Sequence, residues 1–151
     1  MNDEWRTPKD LFEKLDEEFY FDWDAACDSH NCLTMSGCFE HGEDSLQLDW
    51  DKYASSIWLN PPYSRGKIEP FMEKALITAE GGVSVVCLVR FDPSTKWFQT
   101  YVDKQANEIR MLARRVRFQG APSAYNFPTC IVVYLPEYKR NSTVYKIWDW
   151  K

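Results

Sequence analysis

The chain has 151 residues and a mass of 17.8 kDa, about the size of one domain, with 44% hydrophobic and 27% charged residues. That balance excludes a disordered, collagen-like or coiled-coil chain, and no stretch reaches the roughly 20 apolar residues of a membrane span. The formal net charge is −5 and the pI near 5.1, so a binder of nucleic acid by bulk electrostatics is excluded and such contact needs a local patch. The acidic, polar start Met1-Asn2-Asp3-Glu4 is unlike a secretory signal and points to the cytoplasm. The five cysteines then read as reduced thiols.

In chain order, the first element is a helix. Thr7 is placed to cap it, Pro8 suits its first position, Asp10 its first turn, and Leu11, Phe12, Leu15 and Phe19 recur at helical spacing. Residues 19–26 read as a strand ending in the small-residue turn Asp24-Ala25-Ala26. Residues 27–50 read as irregular, broken by Gly37 and Gly42. Residues 56–59 form an apolar run halted by Asn60-Pro61-Pro62-Tyr63, since two prolines forbid a central strand or helix interior. A helix is expected over 69–80, closed by Gly81-Gly82, then a buried parallel strand over 83–89 and a helix over 94–104. Three β-type runs follow at 108–112, 115–118 and 129–135, with an edge strand at 143–150. This order predicts an α/β sheet, mostly parallel with an antiparallel C-terminal end, in one domain over residues 1–151. Such sheets bind ligands at the carboxyl ends of their strands, where Asn60 and the Asp24 turn both fall.

The segment Asn60-Pro61-Pro62-Tyr63 fits a specific chemical problem. The lone pair of an exocyclic amine on a base is delocalised into the ring, which makes the nitrogen a poor nucleophile. Two acceptors on its two N–H bonds would pull it toward tetrahedral geometry and aim the lone pair at an electrophilic methyl group. The Asn60 side-chain oxygen and the Pro61 carbonyl are candidates for the two acceptors. Pro62 holds the loop in shape, and Tyr63 offers a face on which a base could stack, worth about 1–3 kcal/mol. The bland alternative is a proline turn with an asparagine cap.

The ordered set of motifs resembles the phage-type DNA N-6-adenine methyltransferases, a compact branch of the S-adenosylmethionine-dependent amino-methyltransferases. The similarity rests on Trp5-Arg6-Thr7-Pro8, on Phe21 to Ala26, and on Asp44-Ser45-Leu46 with Trp50. It continues through Asn60-Pro61-Pro62-Tyr63-Ser64, through Arg90 to Phe98, and through Arg115-Val116-Arg117-Phe118. The resemblance implies a Rossmann-like methyltransferase sheet with helices on both faces, S-adenosylmethionine as cofactor, and double-stranded DNA as partner. It implies cofactor contacts from Trp5, Thr7, Pro8, Asp24, Ala25, Ala26 and Asp44, with Asp24 assigned to the methionine end and Asp44 to the adenine or ribose. The family's usual glycine-rich cofactor loop is replaced by Ala25-Ala26, and only 36 positions separate Asp24 from Asn60, which scarcely fits a full ribose-binding strand and helix. Arg114 stands where the family often has glycine.

Cys27, His30, Cys32, Cys38 and His41 are residue types that bind zinc, but their spacing matches no common module, so no metal is expected. Phosphate contacts are assigned to Arg65 and Lys67 beside the loop, to Lys96, and to Arg114 and Arg115 within a cluster with Arg110 and Arg117; the alternative is a solvated strand face. With no separate recognition domain in the sequence, base readout falls to loops such as 119–127 or to a second copy in a homodimer. Three functions stay open: methylation of adenine in DNA; the same chemistry on RNA adenine, a cytosine amino group or a protein glutamine; and a degenerate binding module without catalysis.

Overall fold

The computed structural model describes residues 6–27, 38–40, 45–136 and 142–151, with backbone alone at Cys27 and 38–40. The elements are helix α1 (Lys9–Phe19), strands β1 (Trp23–Cys27) and β2 (Cys38–Glu40), a 3-10 turn at Trp50–Lys52, and strand β3 (Ser56–Leu59). Helix α2 (Ile68–Glu80), strand β4 (Ser84–Arg90), helix α3 (Lys96–Tyr101) and strands β5 (Glu108–Leu112), β6 (Thr129–Tyr134) and β7 (Val144–Trp148) complete the order.

All seven strands join one sheet in the order β2-β1-β3-β4-β6-β5-β7. Strands β1 to β4 pair in parallel, and β5 pairs in parallel with β7. Strand β6 runs antiparallel to both its neighbours, β4 and β5. The expected antiparallel C-terminal end is therefore corrected: a single reversed strand is inserted inside the sheet, and the terminal strand runs parallel to its neighbour. Strand β2 lies on one side of β1 and β3 on the other, so the chain reverses its direction of travel between β1 and β3. In open α/β sheets this topological switch opens a crevice at the carboxyl ends of the two strands.

The centre of the sheet is dry. In β6 every residue is buried, and in β4 only the two end residues are partly exposed. Near-continuous apolar runs of this kind require cover on both faces. Alternate residues share a face. Trp58 lies beside Val86, which lies beside Val133, which lies beside Glu108. Helix α1 covers this face: the Phe12 ring meets Trp58 edge-on at 5.6 Å, and Glu18 meets Arg110 of β5. The opposite face carries Ile57, Val85 and Tyr134. There the Tyr134 hydroxyl donates to the Tyr101 carbonyl of α3 at 2.6 Å, and Tyr101 in turn donates to Glu73 of α2 at 2.9 Å. Helices thus cover both faces.

Several boundaries differ from the sequence reading. Helix α1 begins after Pro8, which occupies the cap position with extended backbone; Thr7 makes no capping bond. Asp24, Ala25 and Ala26 lie inside β1 rather than in a turn. Helix α3 is short because a turn anchored on Asp92 delays its start, and the N–H groups of Val102 and Asp103 both close on the Phe98 carbonyl. Residues 115–118 are extended but join no ladder. They alternate in burial because Tyr125 folds back to donate to the Val116 carbonyl at 2.8 Å, while Gln119 bridges to Arg6.

Arg110 corrects the reading of a basic surface cluster. It is 5% exposed, gripped by both carboxylate oxygens of Glu18 at 2.9 and 2.6 Å and by Glu108, and lies between the rings of Phe19 and Trp148. Burial pushes the Glu108 carboxyl up, but hydrogen bonds from Arg110 and Lys146 outweigh it, and the net displacement is downward. A carboxylate held below its ordinary value stabilises the fold above that value, and the contribution is lost as pH falls through the folded one. Arg110→Ala is expected to cost about 3 kcal/mol in urea unfolding, near the low end for breaking a buried pair because Glu18 is half exposed. The variant should also lose part of the wild-type weakening below the ordinary carboxyl value of 4.5. Equal stability of both proteins across the acid range would contradict this account.

Candidate active site

Asn60 is the first residue past β3, at the carboxyl end of the strand and beside the switch point. The ladder pairs Asp24 with Trp58 and Trp58 with Val86. Continued by two residues, this register sets Ala26 of β1 and Leu88 of β4 on either side of position 60. Strand pairing stops there because Pro61 and Pro62 have no N–H to offer a ladder. Asn60 is half-buried, Pro61 buried and Pro62 half-buried. The Asn60 Oδ1 is itself buried and has no hydrogen-bond donor among the described residues. A buried acceptor left unpaired costs about 1–3 kcal/mol, a cost that a ligand N–H would remove.

Tyr63 is 6% exposed. Its hydroxyl donates to the Leu88 carbonyl at 2.7 Å, and its ring packs at 6.1 Å from both Phe118 and Tyr125. Burial drives the phenol pKa well above its ordinary value, so the group stays protonated and cannot act as a base. Tyr63 therefore builds the wall behind the loop, bridging β3 to β4. A cavity of about 30 Å³ remains beside it, lined by Tyr63, Ile68, Arg90, Asp92, Thr95 and Trp97. That is room for about one water, so admitting a base requires the side chains at its mouth to move. A groove of about 610 Å³ lies along the 3-10 turn and the outer side of α2, toward Gly81. Asn60 is not among the residues that line it.

On the β1 side, Asp24 is 4% exposed, and its carboxylate accepts from the Ala26 N–H at 3.3 Å. Thr7 is 1% exposed, and its Oγ1 is buried with no partner among the described residues. The Thr7 carbonyl accepts from the Gln119 side chain at 2.7 Å, tying the segment before α1 to the loop after Phe118. Trp5, Asp44, His30, Cys32 and His41 lie outside the described residues, as do the side chains of Cys27 and Cys38. Among the described residues no cluster fit to hold a metal is present. Cys87 and Cys130 are free, buried thiols whose pKa values burial pushes up.

Of the basic residues assigned to phosphate, Arg65, Lys67, Lys96 and Arg115 are exposed. Arg65 and Lys67 flank Gly66, whose φ of 85° makes the turn between loop and α2. Arg114 is paired with Asp149 through two bonds, at 2.7 and 3.0 Å. Sequence reasoning did not single out Arg90 as a site residue, nor Tyr125 and Phe127 individually. The Arg90 guanidinium lies 3.9 Å from the centre of the Phe127 ring, and Phe127 packs on Tyr125 at 5.5 Å. No short motif carries this grouping, which arises because β6 brings residue 129 beside residue 90.

Fold and loop together define an α/β protein with a buried, unpaired acceptor at a strand-end switch point. Residues 1–146 match the family described as DNA N-6-adenine-methyltransferase (Dam). The chain is 33% identical to the DNA N-6-adenine-methyltransferase of Haemophilus phage HP1 over 143 residues, covering 89% of this chain and 80% of that protein. It is 33% identical to that of Escherichia phage T1 over 110 residues, 72% of this chain but 44% of the phage protein, so it spans less than half of that relative. The chain belongs to the DNA N-6-adenine-methyltransferase family. No helix among the described residues is long and apolar enough to cross a membrane.

The Tyr63 bond gives a direct test of the wall. Tyr63→Phe should keep the fold and cost about 1 kcal/mol, read as a melting shift of roughly 2–4 °C. An unchanged melting temperature would mean that the bond to Leu88 contributes nothing net.

Proposed function

We propose that the chain transfers the methyl group of S-adenosylmethionine to the exocyclic amine of an adenine extruded from DNA. The observation that carries this reading is the buried, unpaired Asn60 Oδ1 at the switch point, beside a proline backbone rich in carbonyls and without N–H groups. The target must leave the duplex, because a paired and stacked amine cannot enter a strand-end crevice. The switch point between β1 and β3 supports a Rossmann-like methyltransferase sheet, with cofactor on the β1 side and substrate on the β4 side.

The residues present fit the cofactor. The orphaned Thr7 hydroxyl and the buried Asp24 carboxylate offer a hydrogen bond and a charge for its methionine ammonium, and the small side chains of Ala25 and Ala26 allow close approach. When bound, the cofactor supplies an electrophilic methyl group on sulfonium sulfur. Asn60 Oδ1 and the Pro61 carbonyl each accept one amine proton, drawing the nitrogen out of conjugation. Pro62 fixes the direction of both acceptors, and Tyr63 holds the loop against β4. The nitrogen–methyl bond would form as the methyl–sulfur bond breaks with its electron pair left on sulfur, and one amine proton would be released through these acceptors to water. The effect is selective stabilisation of a pyramidal nitrogen, stronger in the transition state than in the ground state.

Arg65, Lys67, Lys96 and Arg115 supply phosphate contacts that set position and affinity. Arg114 joins them only by releasing Asp149. Base readout comes from the loop over 119–127 or from a second copy of the chain, and the reaction takes place in the bacterial cytoplasm where phage and host DNA reside.

Asn60→Ala should bind S-adenosylmethionine within about twofold of wild type by calorimetry. It should lose about 10²–10³-fold in transfer of tritiated methyl to unmethylated DNA. Wild-type transfer to DNA with no loss in the variant would remove Asn60 from the mechanism; no transfer by the wild type would remove the reaction.

A further inference from the structure

Asn60 Oδ1 is not the sole unpaired polar atom at this end of the sheet. The Arg90 Nε is also buried without a partner among the described residues. Arg90 ends β4, two residues beyond Leu88, and β-strand alternation puts it on the same face as Leu88 and Val86. Val86 shares its rung with Trp58, so this is the face that Asn60 continues. An unpaired acceptor and an unpaired donor thus stand on neighbouring chain segments, offset by two residues along the register. Strand β4 lies on the side of β3 away from β1, the substrate side in the reading above.

The chemistry of this pair is complementary to one edge of adenine. The amine is a donor and meets Asn60. The ring nitrogens on either side of it, N1 and N7, are acceptors and require a donor. A phosphate on the duplex exterior would meet the outer nitrogens of a guanidinium, whereas the Nε here is buried, and Arg90 is one of the residues that line the small cavity beside Tyr63. Stacking on Phe127, 3.9 Å away, fixes the plane of the guanidinium and therefore the direction of the Nε–H. Guanine and thymine carry a carbonyl in place of the amine, which would set acceptor against acceptor at Asn60, and on the pairing edge beside it they carry an N–H, which would set donor against donor there.

We propose that Arg90 is a specificity-determining residue that donates through Nε to a ring nitrogen flanking the amine of the extruded adenine. The proposal rests on the methyltransferase reading, and the wild-type control separates the two: no transfer by the wild type defeats that reading, whereas the outcomes below concern Arg90 alone. The variants are Arg90→Met, which keeps the length and removes the donor, and Arg90→Gln, which keeps a neutral N–H. With tritiated methyl and a duplex carrying the site found by sequencing wild-type-methylated DNA, Arg90→Met should lose about 10–100-fold in kcat/KM. Arg90→Gln should recover part of that loss, with cofactor affinity and melting temperature near wild type. On duplexes with 1-deazaadenine or 7-deazaadenine at the target, the wild-type advantage over Arg90→Met should shrink to about twofold for the analogue that lacks the contacted nitrogen. An advantage that persists undiminished on both analogues overturns the proposal. So does a fall of about one in the salt slope of DNA binding for both variants, which marks a phosphate contact. A loss of melting temperature and cofactor affinity in both, with no substrate dependence, marks a merely structural role and overturns it equally.

Discussion

The site depends on a boundary in the hydrogen-bond ladder. Strand β3 is paired to β1 as far as Trp58 and to β4 as far as Leu59. Two prolines then remove consecutive N–H groups, so carbonyls and an amide oxygen are left at the carboxyl edge of a sheet that is otherwise saturated. A loop of ordinary residues would satisfy itself with turns of its own backbone. This one cannot, and the sheet beneath it is too well packed to yield. In the proposed reaction, the rigidity of the buried strands would fix the pair of acceptors that position the amine for attack.

The same packing explains the tyrosine after the prolines. Its hydroxyl reaches across to the neighbouring strand and ties the far end of the loop to a backbone carbonyl of β4. The loop is therefore held at both ends, by the β3 ladder before it and by this bond after it. The aromatic group behind it, Tyr63, Phe118, Tyr125 and Phe127, is drawn from two distant segments that meet because residues 119–128 lead back into the sheet.

Much of this was legible in the sequence. The proline corner, the helix closed by Gly81-Gly82, and the apolar run of β4 follow from local chemistry and came out within a residue or two. What was not legible depends on contacts between distant residues. Nothing in the run Thr129–Tyr134 shows that it inserts between β4 and β5 in reverse, because periodicity reports burial and not neighbours. Arg110 looked like part of a basic surface because the carboxylate that grips it with both oxygens, Glu18, lies 92 positions earlier. Residues 115–118 alternate like a strand, yet their buried side chains, Val116 and Phe118, are held by a returning loop. Arg90 lay inside a recognisable segment, but its importance appears only when Phe127 and an unpaired nitrogen are placed around it.

The reversed strand also governs how the molecule can be assembled during synthesis. Strands β1 to β4 emerge first and end in an apolar edge that must wait about forty residues for its neighbour. Strand β5 emerges in between and cannot dock on β4 without blocking the slot. Until Tyr134 has left the ribosome the nascent chain holds an open, hydrophobic sheet border, the kind of surface that chaperones shield and that captures other chains. A ribosome stalled within that interval would leave a sticky fragment that already contains the Asn60–Tyr63 loop but lacks the strand that completes the sheet beside it.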